Sequence, residues 1–106
     1  MTQTHADTAS AITHETTSSG GRFLYQAQGA QAELTYANAS ASSGATRVVA
    51  DHTYVPDSMR GQGIAARLVD ALIAKARADH WTIVPRCSYV VTAFKRHPEW
   101  SDVLAD

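Results

Sequence analysis

The sequence holds a single cysteine, Cys87, among 106 residues, so no internal disulfide can staple it. That usage suits a reducing compartment, and the cytoplasm is the expected location. It leaves Cys87 as a core thiol, a reactive thiol or an incidental one. Long apolar runs are also missing: nothing approaches the roughly 20 residues that span a bilayer. The first twenty residues lack the basic and apolar regions of a secretory leader, so no membrane partner is expected. Charge of neither sign dominates, because nine Lys and Arg face ten Asp and Glu for a net charge of −1. No global field therefore draws the chain to nucleic acid. Only three prolines occur, and each falls where a regular pattern stops.

At this length the chain is one small domain. Residues 1–20 are mostly Thr, Ser, Ala and His with no period, which predicts a disordered tail. His5 and His14 lie in that stretch and make a poor metal site without a scaffold, so no metal is expected. The globular part is then residues 21–106. A chain that small buries only about 60% of its surface. It is expected to gain stability from a bound cofactor or from a second copy in a homodimer.

Residues 21–28 alternate, with Phe23, Tyr25 and Ala27 on one face. Gly29 and Ala30 punctuate, and Ala32, Leu34 and Tyr36 alternate again, which reads as an antiparallel hairpin with one wet face. Residues 38–44, rich in Ser and Ala, read as a loop. Residues 46–55 differ: Val48, Ala50, His52 and Tyr54 share one face, and Val49, Thr53 and Val55 the other. Both faces are largely apolar, the pattern of a central strand, and Pro56 ends it.

Residues 62–79 place Ile64, Leu68, Leu72 and Ala76 on one stripe, flanked by Ala65, Val69 and Ile73, as in a helix packed on a sheet. A short buried strand follows at 81–84 and stops at Pro85. Strand, helix and strand of this length imply a parallel pair. Ser88 is a suitable N-cap for a second helix carrying Val90, Ala93 and Phe94, which Pro98 ends. Residues 99–106 read as a tail anchored by Trp100. The order β-β-β-α-β-α with a mixed sheet is of the α+β class.

Between the long strand and the long helix stands Arg60-Gly61-Gln62-Gly63-Ile64-Ala65. Glycines there reach backbone angles closed to other residues, and the helix behind them opens with unpaired N–H groups and partial positive charge. Together these form a cradle for an anion such as a pyrophosphate. The nucleotide P-loop pattern is absent, and the dinucleotide fingerprint lacks its third glycine. The turn fits Q/R-x-x-G-x-G/A, the pyrophosphate-gripping pattern of the GNAT-superfamily acetyltransferases.

Three further motifs fall in order around it: His52-Thr53-Tyr54-Val55 before it, Pro85-Arg86-Cys87-Ser88-Tyr89-Val90 after the helix, and Pro98-Glu99-Trp100. Over residues 23–100 the sequence thus resembles the small, single-domain GNAT-like N-acetyltransferases, about half the length of ordinary members. The resemblance implies a minimal GNAT fold that binds acetyl-coenzyme A as co-substrate. The pyrophosphate would sit on the N–H groups of Arg60, Gly61, Gln62, Gly63 and Ile64, with Ala65 completing the turn. The pantetheine would run beside Val55 like an added strand, and the thioester would reach Ser88, Tyr89 and Phe94 on the last helix, near Cys87.

By the same resemblance Cys87 is the candidate catalytic residue, as a transient acetyl acceptor or as a group touching the thioester. A thiol at a helix N-terminus has more thiolate character, although free cysteines also serve as small core hydrophobes. His52 is the second candidate, as general base, or else a satisfied core histidine. Larger GNAT enzymes carry a tyrosine acid in the last helix. Seven residues on from Cys87, where those enzymes place the asparagine before that tyrosine, stands Phe94, and Tyr89 is the available substitute. The acceptor is an unidentified amine, a protein lysine or a small amine. An alternative reading is an acyl-coenzyme A-binding module without efficient catalysis, acting as sensor or interaction domain.

Overall fold

The apolar stripe that begins at Ile64 becomes helix α1, Ile64–Asp79, in this computed structural model, which describes residues 12–27, 29–39 and 46–105. Its buried side chains are Ile64, Leu68, Val69, Leu72, Ile73 and Ala76, spaced three and four apart, so one face is sealed while Asp70 and Arg77 stay wet. The helix ends at His80, whose left-handed conformation (φ 60°) lets its N–H donate to the Ala76 carbonyl.

The sheet beneath it has five strands among the described residues: β1 Ile12–Thr17, β2 Gly20–Ala27, β3 Ala30–Ala39, β4 Thr46–Tyr54 and β5 Trp81–Pro85. They lie side by side in that order, antiparallel from β1 to β4, with β5 parallel to β4. The second helix, α2, is Ser88–Arg96. The α+β class with a mixed sheet is therefore the observed architecture. Phe23, Ala32, Leu34, Tyr36, Val48, Ala50 and Ile83 alternate along their strands onto one face, and the apolar residues of both helices join them in one core.

Three expectations change. Residues 12–17 are not a tail but strand β1, paired with β2 from Ile12↔Tyr25 to Thr17↔Gly20. The order gains a strand at its front. The pattern is hidden because the inward residue at the strand's middle is a histidine. His14 stacks on Phe23, ring centroids 4.3 Å apart, and its Nε2 lies 2.6 Å from the Tyr36 hydroxyl. Backbone pairing supplies the rest, which composition does not register. Of the other residues assigned to the tail, Ser18 and Ser19 form the turn into β2 and Gly20 opens that strand, while residues 1–11 lie outside the described residues; the loop expected at 38–44 gives Asn38 and Ala39 to β3, and its remainder also lies outside them.

The second change concerns β4, which is interior but covered on one face only. Val48 and Ala50 are buried, whereas Asp51 and His52 are exposed, because the helices pack on the other side from them. The third is the C-terminal segment, which is held in place. Residues Pro98–Val103 form a 3-10 turn that buries Trp100 and Val103. Leu104 then bridges to Ile83, and the Ala105 N–H donates to the Ile83 carbonyl at 2.8 Å, closing the outer edge of β5.

Candidate functional site

Strands β4 and β5 stay paired only from Thr46↔Trp81 to Ala50↔Pro85. Proline has no N–H to continue the ladder, and the chain turns away. The N–H groups of Arg86 and Cys87 both donate to the Ala50 carbonyl at 3.0 Å, the last link between the two strands. Beyond Ala50, β4 runs on to Tyr54, and no other strand among the described residues takes that edge. The result is a cleft with a free main-chain edge on one wall.

A β-bulge sits at the mouth of this cleft. Tyr36 pairs with Ala50 and Thr35 with His52, so Asp51 is the extra residue. One inserted residue reverses which side chains face the core. Thr53 is opposite buried Leu34 and therefore shares its face, while His52 is opposite Thr35 and shares the other. Simple alternation had put His52 with Ala50 on the inward side; the bulge overturns that. His52 is exposed on the face away from the helices, and the structure does not bring it to Cys87.

Cys87 is the N-cap of α2, with an extended backbone (φ −73°, ψ 135°), a position the sequence assigned to Ser88. Its carbonyl accepts the Val91 N–H at 3.0 Å, and its Sγ lies 3.6 Å from Thr53 Oγ1. Burial pushes the thiol up. Hydrogen bonding to Thr53 and to the Val90 and Tyr89 N–H groups outweighs burial and holds it below its ordinary value. This is the balance expected of a thiol half-sheltered at a helix N-terminus.

The glycine turn forms the floor. After Pro56 the chain makes a 3-10 turn, Asp57–Met59, then passes Arg60 into Gly61 (φ 81°) and Gly63 (φ 75°), both left-handed. Glycine takes this conformation without strain. A Cβ at either position would meet nothing within 4 Å, so the turn leaves open space above its main chain. No side chain caps α1 at Gly63, and the first helical bond is from the Arg67 N–H to the Gly63 carbonyl, 3.1 Å. The N–H groups of Ile64, Ala65 and Ala66 are thus left without helical partners at the positive end of the helix. Arg60 holds Asp57 through Nε to Oδ1 at 3.1 Å, and Gln62 Nε2 donates to the Ser58 carbonyl at 3.1 Å.

Val55, Arg60, Gly61, Gly63, Ile64, Ala65 and Tyr89 line one cavity of about 230 Å³, joined by Met59 and Ala66. Of the expected binding set, Gln62 and Ser88 stand exposed in the turn and in the first turn of α2. Phe94 is 8% exposed and packed edge-on against Trp100 at 5.6 Å, because its position in α2 repeats that of buried Val90 one turn on. Thr53, Met59 and Ala66 are the residues that sequence reasoning missed. A larger hollow, about 470 Å³, lies beside His14, Phe23 and Asp70, but no uncapped helix end opens into it. Among the described residues no three His, Cys, Asp or Glu side chains are grouped to hold a metal, and no helix is long and apolar enough to cross a membrane.

An uncapped glycine turn beside a splayed strand pair, with a second helix N-terminus nearby, is the feature on which comparison with known proteins turns. Residues 22–103 match the family described as GCN5-related N-acetyl-transferase. The chain belongs to that family. Its fold is similar to that of a ribosomal-protein-alanine N-acetyltransferase from Brucella melitensis biovar Abortus 2308, with a TM-score of 0.61 and 24% identity. That likeness covers 85% of this chain and 66% of the other, so the chain spans just under two thirds of that relative. It is also similar to a GCN5-like protein from Staphylococcus aureus assigned to the N-acetyltransferases, with a TM-score of 0.63 and 24% identity. Here 91% of this chain and 90% of the other are covered. At that identity both likenesses speak for the fold.

Proposed function

We propose that the protein is an acetyl-coenzyme A-dependent N-acetyltransferase that moves an acetyl group to an amine, either a protein lysine or a small amine. The observation that carries this reading is the convergence, around one cleft, of three things. They are the uncapped start of α1 behind Gly61 and Gly63, the free edge of β4, and the Cys87 thiol. Each suits one part of the co-substrate. The N–H groups from Arg60 to Ile64 bind the pyrophosphate, with the helix end adding favourable charge. The edge at Val55 pairs with the amides of the pantetheine arm, and the thioester lies toward the start of α2. Localisation in the cytoplasm accords with the lone thiol.

Transfer through sulfur follows from the same groups. The Cys87 thiolate attacks the thioester carbonyl, forming a new thioester and releasing the coenzyme A thiolate. The amine then attacks that carbonyl, the amide forms, the Cys87 thiolate is restored, and the amine's proton passes to the released thiolate or to solvent. The N–H groups at the start of α2 stabilise negative charge in both steps. A second reading, an acyl-coenzyme A-binding module with little turnover, draws on the outward orientation of His52, which leaves the cleft without a histidine base among the described residues.

Intact-protein mass spectrometry with acetyl-coenzyme A and a mixed amine acceptor tests this. The expected result is one acetyl group on Cys87 in the absence of acceptor and acetylated amine in its presence. Retained coenzyme A with neither product favours the binding module. Neither retention nor acetylation contradicts both.

A further inference from the structure

We infer that Thr53 is a positioning residue for Cys87, and that the bulge at Asp51 exists at this point in β4 to turn the Thr53 hydroxyl onto the thiol. The inference rests on the reading of Cys87 as the acetyl acceptor and adds to it the residue that aims the sulfur. Three observations on different elements meet. The register of β3 against β4 slips by one residue at Asp51, which moves Thr53 to the inward face opposite Leu34. The main chain of Cys87 is tied to the same stretch of β4 by its N–H to the Ala50 carbonyl, three residues before Thr53. The side chains then meet at 3.6 Å between Sγ and Oγ1.

A threonine hydroxyl can serve both protonation states of a thiol. It accepts the S–H when sulfur is neutral and donates its own O–H when sulfur is ionised. Because both partners are anchored by main chain, the sulfur is held in one orientation relative to the free edge of β4. No proton leaves Thr53 in this role. The group acts by direction and by stabilising the anion. Among the described residues, the hydroxyl and the α2 N–H groups are what oppose burial at the thiol. A straight, unbulged strand would present the His52 ring here instead of a hydroxyl.

The test compares Thr53→Val, Thr53→Ala and Thr53→Ser with wild type, each checked for its melting curve. The pH profile of iodoacetamide alkylation of Cys87 is measured on the apo protein, and coenzyme A affinity and acetyl transfer are measured separately. Thr53→Val keeps a β-branched side chain suited to a strand but cannot hydrogen-bond. Its alkylation midpoint should move up, and its rate at pH 7 should fall by about three- to tenfold, the effect of losing one hydrogen bond of ordinary strength. Thr53→Ala should match it, which covers the case in which the valine variant fails to fold. Thr53→Ser should restore the wild-type profile. Coenzyme A affinity should be unchanged in all three, while acetyl transfer follows the alkylation rate. An alkylation profile that is the same in Thr53→Val or Thr53→Ala as in wild type overturns the inference. Profiles that shift as expected in a protein that neither binds coenzyme A nor transfers acetyl would leave the Thr53–Cys87 coupling standing and defeat the acetyltransferase reading instead.

Discussion

His14 offers a prediction that tests the strand hidden in the sequence. Burial, and then the Lys75 ammonium, holds its imidazole below the ordinary histidine value, against a weaker opposing pull from Asp79. The folded state therefore binds a proton less readily than the unfolded chain, and stability rises with pH wherever that is so. The contribution is fully present above the unfolded value near 6.5 and is lost as pH falls through the lower folded value. His14→Ala removes the stacking on Phe23, about 0.5–1.5 kcal/mol. It also leaves the buried Tyr36 hydroxyl without its partner, about 1–3 kcal/mol, so a total of about 1.5–4.5 kcal/mol, with a middle value of about 3 kcal/mol, is expected. For a domain of this size about 1 kcal/mol moves the melting temperature by about 4–8 °C. At that middle value His14→Ala should melt about 12–24 °C lower at pH 8. The difference between the two proteins should shrink as pH is lowered below 6.5, because only wild type carries the buried ring. Melting curves by circular dichroism from pH 8 to pH 5 give both quantities. A variant that melts with wild type at pH 8, or a difference that stays constant with pH, refutes the reasoning.

Further outcomes follow from the core and the cleft. Leu72→Ala, in the fully buried stripe of α1, should cost about 2–5 kcal/mol in chemical denaturation, and a loss under 1 kcal/mol would mean that the stripe is not sealed. Acetyl-coenzyme A at about 100 times its dissociation constant should stabilise the fold by about 2.7 kcal/mol, a rise of about 10–20 °C in melting temperature. An unmoved melting curve speaks against a cofactor site. Cys87 should alkylate with a midpoint below the ordinary thiol range, and coenzyme A should protect it; resistance in the folded apo protein would make it core. Cys87→Ser should abolish acetyl transfer while keeping coenzyme A binding, whereas His52→Ala should leave transfer intact. The reverse pattern would return the base role to His52 and make transfer direct.

What the sequence made legible divides along physical lines. The stripe from Ile64 to Ala76 was readable because a helix seals one face and its 3.6-residue period survives in the residue types. The glycine turn was readable because left-handed backbone restricts the residue choice at 61 and 63. Strand β1 was not, since its stability comes from main-chain pairing and from a histidine stacked on Phe23, neither of which leaves an apolar alternation. The site was legible in outline, with Cys87 at the start of a helix and the cradle at Arg60, but its inner geometry was not. Period-two reasoning assumes an unbroken strand, and one extra residue at Asp51 exchanges His52 for Thr53 at the sulfur. Only the register against β3 decides it. The direction of Phe94 was not legible for a related reason: its contact with Trp100 lies beyond the helix that carries it.

The central claim is that the turn at Arg60–Ile64 holds coenzyme A through its main-chain N–H groups. Isothermal titration of coenzyme A into wild type, Gly63→Asn and Gly63→Asp tests it most directly. Asparagine tolerates the left-handed conformation of residue 63 and carries no charge, while aspartate sets a carboxylate of similar shape where the pyrophosphate belongs. Wild type should bind, Gly63→Asn should bind more weakly, and Gly63→Asp should lose binding with its circular dichroism spectrum intact. Equal affinity in wild type and Gly63→Asp would contradict the account.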